Sequence, residues 1–163
     1  MNAPGLNLRI ATVEDVGTIL TFIKELAEYE KLSHQVVGDE EQLRKTLFGD
    51  RPAAEVIIAE FGGAPAGFAL FFHSYSTFLA RPGLYLEDLY VSPKLRGHGI
   101  GKKLLCRLAE IAIERGCGRF EWSVLDWNES AIRFYENLGA EPMEGWTVYR
   151  VAGDTLEKLA KSE

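Results

Sequence analysis

The chain has 163 residues, a length at which one domain can close a hydrophobic core without disulfide or metal staples. Its 47% hydrophobic and 26% charged content is ordinary globular usage and excludes wholesale disorder. Eighteen basic residues against 24 acidic ones give a net charge of −6, the wrong sign for nucleic acid, where neutralised phosphates supply most of the affinity.

Leu6 to Ala11 reads as a short strand. Thr12 follows as an N-cap with Glu14 and Asp15 in the first turn. Val16, Ile19, Leu20, Ile23, Leu26 and Ala27 then recur at helical spacing, which predicts a helix to about Lys31. Asp39 to Phe48 is a shorter helix, closed by Gly49 and Pro52. Ala54 to Phe61 and Gly67 to His73 are apolar strands joined across Gly62-Gly63, a hairpin signal. Ser74 to Gly83 reads as irregular, and residues 84–92 as a strand. A glycine-rich loop leads into a helix at about 100–115, ended by Gly116 and Gly118. Phe120 to Leu125 is a further strand. Asn128 caps a helix through Leu138, with Gly139 in the C′ place. Trp146 to Val151 is expected as a last strand and Asp154 to Lys161 as a polar helix. No repeat or linker interrupts the order, so residues 1–163 are expected to form one α/β (α+β) domain.

Cys106 and Cys117 cannot frame a disulfide scaffold and match no zinc spacing; buried free thiols are expected. His34, His73 and His98 likewise match no ligand spacing, so no metal is expected, and His73 is read as a packed histidine. Met1 to Asn7 has neither the basic segment nor the apolar core of a leader, and no run reaches the roughly 18–20 apolar residues of a membrane span. The expected location is the cytoplasm.

Three constellations carry chemistry. In Arg96-Gly97-His98-Gly99-Ile100-Gly101, alternating glycines let a ligand approach the backbone, and the following helix aims its free N–H groups at the same place. The loop fails the Walker spacing, since three residues separate Gly97 from Gly101, and Lys102 stands where a dinucleotide fingerprint needs its third glycine. It still reads as a phosphate cradle. In the helix after Asn128, Ala131, Phe134, Tyr135 and Leu138 share a face. Tyrosine, protonated at neutral pH, is a suitable proton donor to a departing thiolate. Glu87-Asp88 places adjacent carboxylates in an apolar strand with side chains on opposite faces, so one points toward a buried or cleft side.

The order strand, Arg-x-x-Gly-x-Gly, helix, strand, Asn-capped helix with Phe134-Tyr135 resembles the GNAT superfamily of acyl-CoA-dependent N-acetyltransferases. Tyr85-Leu86-Glu87-Asp88, Trp127-Asn128-Glu129 and Glu144-Gly145-Trp146 resemble its diamine (spermidine/spermine) and thialysine acetyltransferase branch. The resemblance implies a mixed, mostly antiparallel central sheet flanked by helices, splayed where acetyl-CoA enters. It implies that Leu89, Tyr90 and Val91 hold the pantetheine arm through their backbone. Arg96, Gly97, His98, Gly99, Ile100, Gly101 and Lys102 would take the pyrophosphate, and Asn128, Ser130 and Ala131 would contact the cofactor near the thioester. Tyr135 would be the acid that protonates the thiolate, and Glu87 would bind the acceptor amine and draw off its proton. Tyr29, Glu30, Asp88, Glu121, Trp122, Ser123 and Glu144 would complete the substrate contacts. A small cationic amine, direct transfer in a ternary complex and a homodimer follow from the same resemblance. Two positions depart from the branch. Ser74-Tyr75-Ser76-Thr77-Phe78 lacks the carboxylate that polyamine enzymes carry in this loop, which favours thialysine, a lysine-like amine or a diamine over spermine. Ser130-Ala131 stands where the branch has Pro-Ser. The alternatives are a non-catalytic acyl-CoA-binding sensor of the same fold and a protein lysine or N-terminal acetyltransferase.

Overall fold

The computed structural model describes residues 5–162; the leader reading at Met1–Asn7 falls partly outside them. The chain divides into two compact units, one up to Leu125 and one from Asp126.

The first unit is a five-stranded sheet with helices. Strand β1 (Leu6–Ile10) is followed by a short 3-10 turn at Val13–Asp15 and helix α1 (Val16–Tyr29). Helix α2 (Glu40–Phe48), strands β2 (Glu55–Phe61), β3 (Ala64–Ser76) and β4 (Arg81–Val91), helix α3 (Ile100–Glu114) and strand β5 (Arg119–Trp122) complete it. The spatial order is β1-β2-β3-β4-β5, antiparallel except for the parallel β4–β5 pair.

Local chemistry accounts for the boundaries. Asp15 accepts from the Thr12 N–H at 2.8 Å and is gripped by Arg9 through two 2.8 Å bonds, which fixes the entry to α1. Asp39 and Gln42 form a reciprocal capping box at the start of α2. Gly62 and Gly63 both take positive φ, as a two-residue hairpin turn between twisted strands requires. The α1 face of the sheet carries Val56, Ile58, Phe68, Leu70 and Tyr90 against Ile19 and Phe22. Phe22 lies 5.6 Å from each of the Phe68 and Tyr90 rings. The opposite face carries Ile57, Ala69, Phe71, Leu84 and Leu86, all buried, as are Ile100, Leu104 and Leu108 of α3.

The structure corrects several sequence expectations. The stretch 74–83 is not irregular: β3 runs on to Ser76 and β4 starts at Arg81, with Ser74↔Gly83, Tyr75↔Pro82 and Ser76↔Arg81 in register. Polar residues and Pro82 masked a hairpin whose backbone ladder needs no apolar alternation. Both cysteines are free, but Cys106 is exposed and Cys117 half-buried. Leu104, Leu105 and Leu108 take the buried side of α3, which leaves position 106 facing solvent. His73 is exposed rather than packed, with Nε2 3.4 Å from Arg115. Strand β5 ends at Trp122, short of Leu125.

The second unit holds helices α4 (Glu129–Asn137) and α5 (Gly153–Ala160). The strand expected over Trp146 to Val151 does not form. Strand-favouring side chains do not supply a pairing partner, and Trp146, Val148 and Tyr149 are exposed. Among the described residues no helix is long and apolar enough to cross a membrane. No cluster of three His, Cys, Asp or Glu among them could hold a metal ion.

Candidate active site

The site grows out of a defect in β4. Register runs Phe71↔Leu86 and then Leu70↔Asp88, so Glu87 has no opposite number and forms a bulge. The extra residue shifts the alternation. Leu86 lies beside Phe71, which faces Arg115 at the end of α3. Asp88, two residues on, instead shares the face of Leu70 and Tyr90, toward α1. The simple alternation expected at Glu87-Asp88 is thus replaced by a bulge that exposes Glu87 and half-buries Asp88.

Asp88 is a carboxyl with an altered proton affinity. Burial, with the nearby charges of Glu87 and Glu30, raises its pKa from 3.8 to about 6. Glu30, just past the end of α1, is itself raised by burial. Glu30, Glu87 and Asp88 therefore form one acidic corner, suited to an ammonium group and to accepting its proton.

The same strand offers an edge. β5 pairs with β4 only from Gly83↔Arg119 to Leu86↔Trp122, whereas β4 continues to Val91. β5 ends at Trp122, opposite Leu86, so β4 runs on past its pairing with β5, and backbone groups along Leu89–Val91 offer an edge that an extended ligand could join as a strand would.

This edge leads into the glycine loop. Gly97 and Gly99 take φ of +83° and +75°, and a Cβ at either would meet nothing within 4 Å. Left-handed glycines in such a turn form a concave backbone nest that suits anions. Helix α3 starts without a side-chain cap, its N-cap being Gly99. Lys102 and Lys103 stand in its first turn, where the helix dipole disfavours cations unless an anion binds there. The Ile100 side chain is core, at 1% exposure, so only its backbone can serve a ligand. His98 Nδ1 is 3.1 Å from the Leu95 carbonyl, and its ring lies 5.2 Å from Phe61. A pyrophosphate-bearing cofactor fits this cradle.

Several expected substrate residues have other partners. Tyr29 lies under the Arg96 guanidinium, 5.0 Å from its ring centroid. Glu121 forms an ion pair with Arg119 at 2.7 Å. Ser123 Oγ is 2.8 Å from the Tyr85 hydroxyl, which links β4 to the chain just past β5. Trp122 packs edge-on to Phe120. Glu25 was missed by the sequence reading: it accepts from the Tyr90 hydroxyl at 2.6 Å. Burial and that carboxylate push Tyr90 up to about 12. Its only sequence signal is the one-turn spacing from Tyr29.

In the second unit, Asn128 caps α4: its Oδ1 accepts from the Ala131 N–H at 3.4 Å and from Ser130 Oγ at 3.3 Å. Tyr135 is half-buried, its ring 5.5 Å from Phe134. Glu144 is exposed on a turn.

Residues 22–140 match the family model described as the acetyltransferase (GNAT) family. The chain is 43% identical to thialysine N-epsilon-acetyltransferase of Mus musculus, over 94% of this chain and 96% of that one. It is 34% identical to L-ornithine N5-acetyltransferase of Arabidopsis thaliana, over 94% and 87% of the two chains. An integron cassette protein from the mobile metagenome of V. cholerae superposes with a TM-score of 0.82 at 28% identity, covering 97% of this chain and 99% of that one.

Proposed function

This chain belongs to the GNAT acetyltransferase family, and on that premise we propose that it acetylates the side-chain amine of a small cationic acceptor such as thialysine or ornithine. The observation that carries the reading is the course of β4. The strand presents the acidic corner at its Glu87 bulge and an edge at Leu89–Val91, and the chain that leaves it turns through the nest at Gly97 and Gly99. The family match spans residues 22–140, from the first unit into the second, which supports reading the chain as one acetyltransferase domain.

Acetyl-CoA supplies an activated thioester and a thiol leaving group. This chain's residues do the rest. Backbone groups of Leu89, Tyr90 and Val91 hold the pantetheine arm, and one of their N–H groups polarises the thioester carbonyl. Arg96, the backbone of Gly97 to Gly101 and Lys102 take the pyrophosphate. Asn128 caps α4 and, with Ser130 and Ala131, meets the cofactor near the thioester. Glu30, Glu87 and Asp88 bind the acceptor ammonium, helped by Glu144. The Glu87–Asp88 pair then accepts a proton, since only the neutral amine has a lone pair for attack. Asp88, raised to about 6, is suited to take it. Tyr135 donates a proton to the departing thiolate. Neither Cys106 nor Cys117 is needed as a nucleophile. A homodimer belongs to the same reading, supported by the branch resemblance.

The test is thiol release from acetyl-CoA across thialysine, ornithine, lysine, putrescine, spermidine, spermine and a lysine peptide. Preference for the short amines supports the reading and fits the carboxylate missing from Ser74–Phe78. Acetyl-CoA binding without turnover on any of them favours a sensor, and preference for the peptide favours a protein acetyltransferase.

A further inference from the structure

The branch resemblance implies a substrate contact for Tyr29; in the structure its ring lies against the Arg96 guanidinium. Tyr29 closes α1, and its ring lies under the Arg96 guanidinium at 5.0 Å. Tyr90, on β4, presents a second ring 6.0 Å from the same guanidinium. Arg96 Nε also donates to the Val91 carbonyl at 3.2 Å, which leaves the remaining donors on the two terminal nitrogens. Tyr90 is fixed in turn by its 2.6 Å bond to Glu25, one helical turn before Tyr29. With Ser92, Pro93 and Lys94 these groups line a cleft of about 520 Å³. A long, flexible side chain just before the glycine loop is thus held by a carbonyl and by two aromatic rings.

We propose that Tyr29 is a positioning residue for cofactor binding, holding the Arg96 guanidinium oriented for the pyrophosphate. The proposal rests on the reading of Arg96 as a phosphate contact. It also ties the two half-sites together, because the next residue, Glu30, belongs to the acidic corner with Asp88. The attraction depends on the ring face and not on the hydroxyl.

The test is a double-mutant cycle on acetyl-CoA affinity, read by calorimetric titration at two salt concentrations, with the amine KM measured alongside. Tyr29→Leu is expected to weaken acetyl-CoA binding about two- to fivefold, the size of an exposed cation–π contact. Tyr29→Phe should bind like wild type, and neither variant should move the amine KM. In an Arg96→Met background Tyr29→Leu should cost nothing further, because the partner of the ring is gone. An equal loss in that background overturns the proposal, as does equal loss from Tyr29→Phe or an effect confined to the amine KM. If Arg96→Met weakens binding while Tyr29→Leu does not, only the positioning role falls. If Arg96→Met binds acetyl-CoA like wild type with an unchanged salt dependence, the phosphate reading of Arg96 falls first and this role with it.

Discussion

Replacing Asp88 by asparagine should make the protein more stable at neutral pH and nearly inactive. The structure sets the size of the effect. The rise in the Asp88 pKa from 3.8 to about 6, at about 1.4 kcal/mol for each pH unit, makes its ionisation in the fold cost about 3 kcal/mol. The sign follows from proton counts. Between pH 3.8 and 6 the folded state binds the proton and the unfolded chain does not, so stability falls as pH rises through that window. At pH 7 the whole penalty is present. Asp88→Asn removes the charge at nearly constant volume, and some of the gain is lost to the amide's own unmet hydrogen bonds. The expected net gain is about 2 kcal/mol at pH 7, or roughly 4–8 °C in Tm for a chain of this size. At pH 4 wild-type Asp88 is largely protonated and the two proteins should melt together. Thermal or urea unfolding of both proteins from pH 4 to 7.5 measures this directly. In parallel, kcat/KM for the amine should lose at least about a hundredfold. A Tm difference that is independent of pH, or a variant less stable at pH 7, refutes the assignment of Asp88 as a strained carboxyl.

Glu87→Gln should raise the amine KM. It should also shift the acidic limb of the pH–rate profile to lower pH, because the Glu87 charge helps hold the Asp88 pKa up. An unchanged KM and an unchanged limb remove Glu87 from the site. Tyr135→Phe should lower kcat by about a hundredfold or more while calorimetry shows acetyl-CoA affinity nearly intact. An equal collapse of binding would make Tyr135 a cofactor contact and not the acid. Gly67→Ala places a methyl against the Tyr90 carbonyl and 3.1 Å from Val91 Cα, which should force β3 and β4 apart. A loss of about 1–3 kcal/mol by urea unfolding, with weaker acetyl-CoA binding, is expected. Wild-type behaviour in both would mean that this part of β4 tolerates displacement.

The parts legible in the sequence were those governed by local chemistry. Helical periodicity gave α1 and α3, Gly62-Gly63 gave the hairpin turn, and Asn128 gave the cap of α4. The glycine loop was legible for the same reason: positive φ at Gly97 and Gly99 is a property of those residues before it is a property of the fold. What escaped was set by partners distant in sequence. The continuation of β3 through Ser76 depends on Gly83 and Arg81 lying opposite, and nothing within 74–76 announces them. Tyr29 is named as a substrate contact by the branch resemblance alone. Its actual neighbour, Arg96, is brought to it by the packing of α1 against β4.

The bulge at Glu87 shows why the acidic corner could be named from sequence yet not assembled from it. In a regular strand, Leu84, Leu86 and Asp88 would lie on one face, and Asp88 would enter the apolar layer with buried Leu84 and Leu86. An ionised carboxylate there would lack both water and a partner. One extra residue moves Asp88 to the α1 side, beside Glu30, and exposes Glu87 at the bend. The same step occurs where β5 stops pairing with β4, just after Leu86↔Trp122. A single irregularity therefore sets the surroundings of Asp88 at the point where β5 stops pairing with β4. The energetic cost of charging Asp88 is the counterpart of its use, since a carboxyl at its ordinary 3.8 would be a much weaker base toward an ammonium proton. A stabilised Asp88→Asn variant that also loses the acidic limb of the rate profile would tie both consequences to this one register shift.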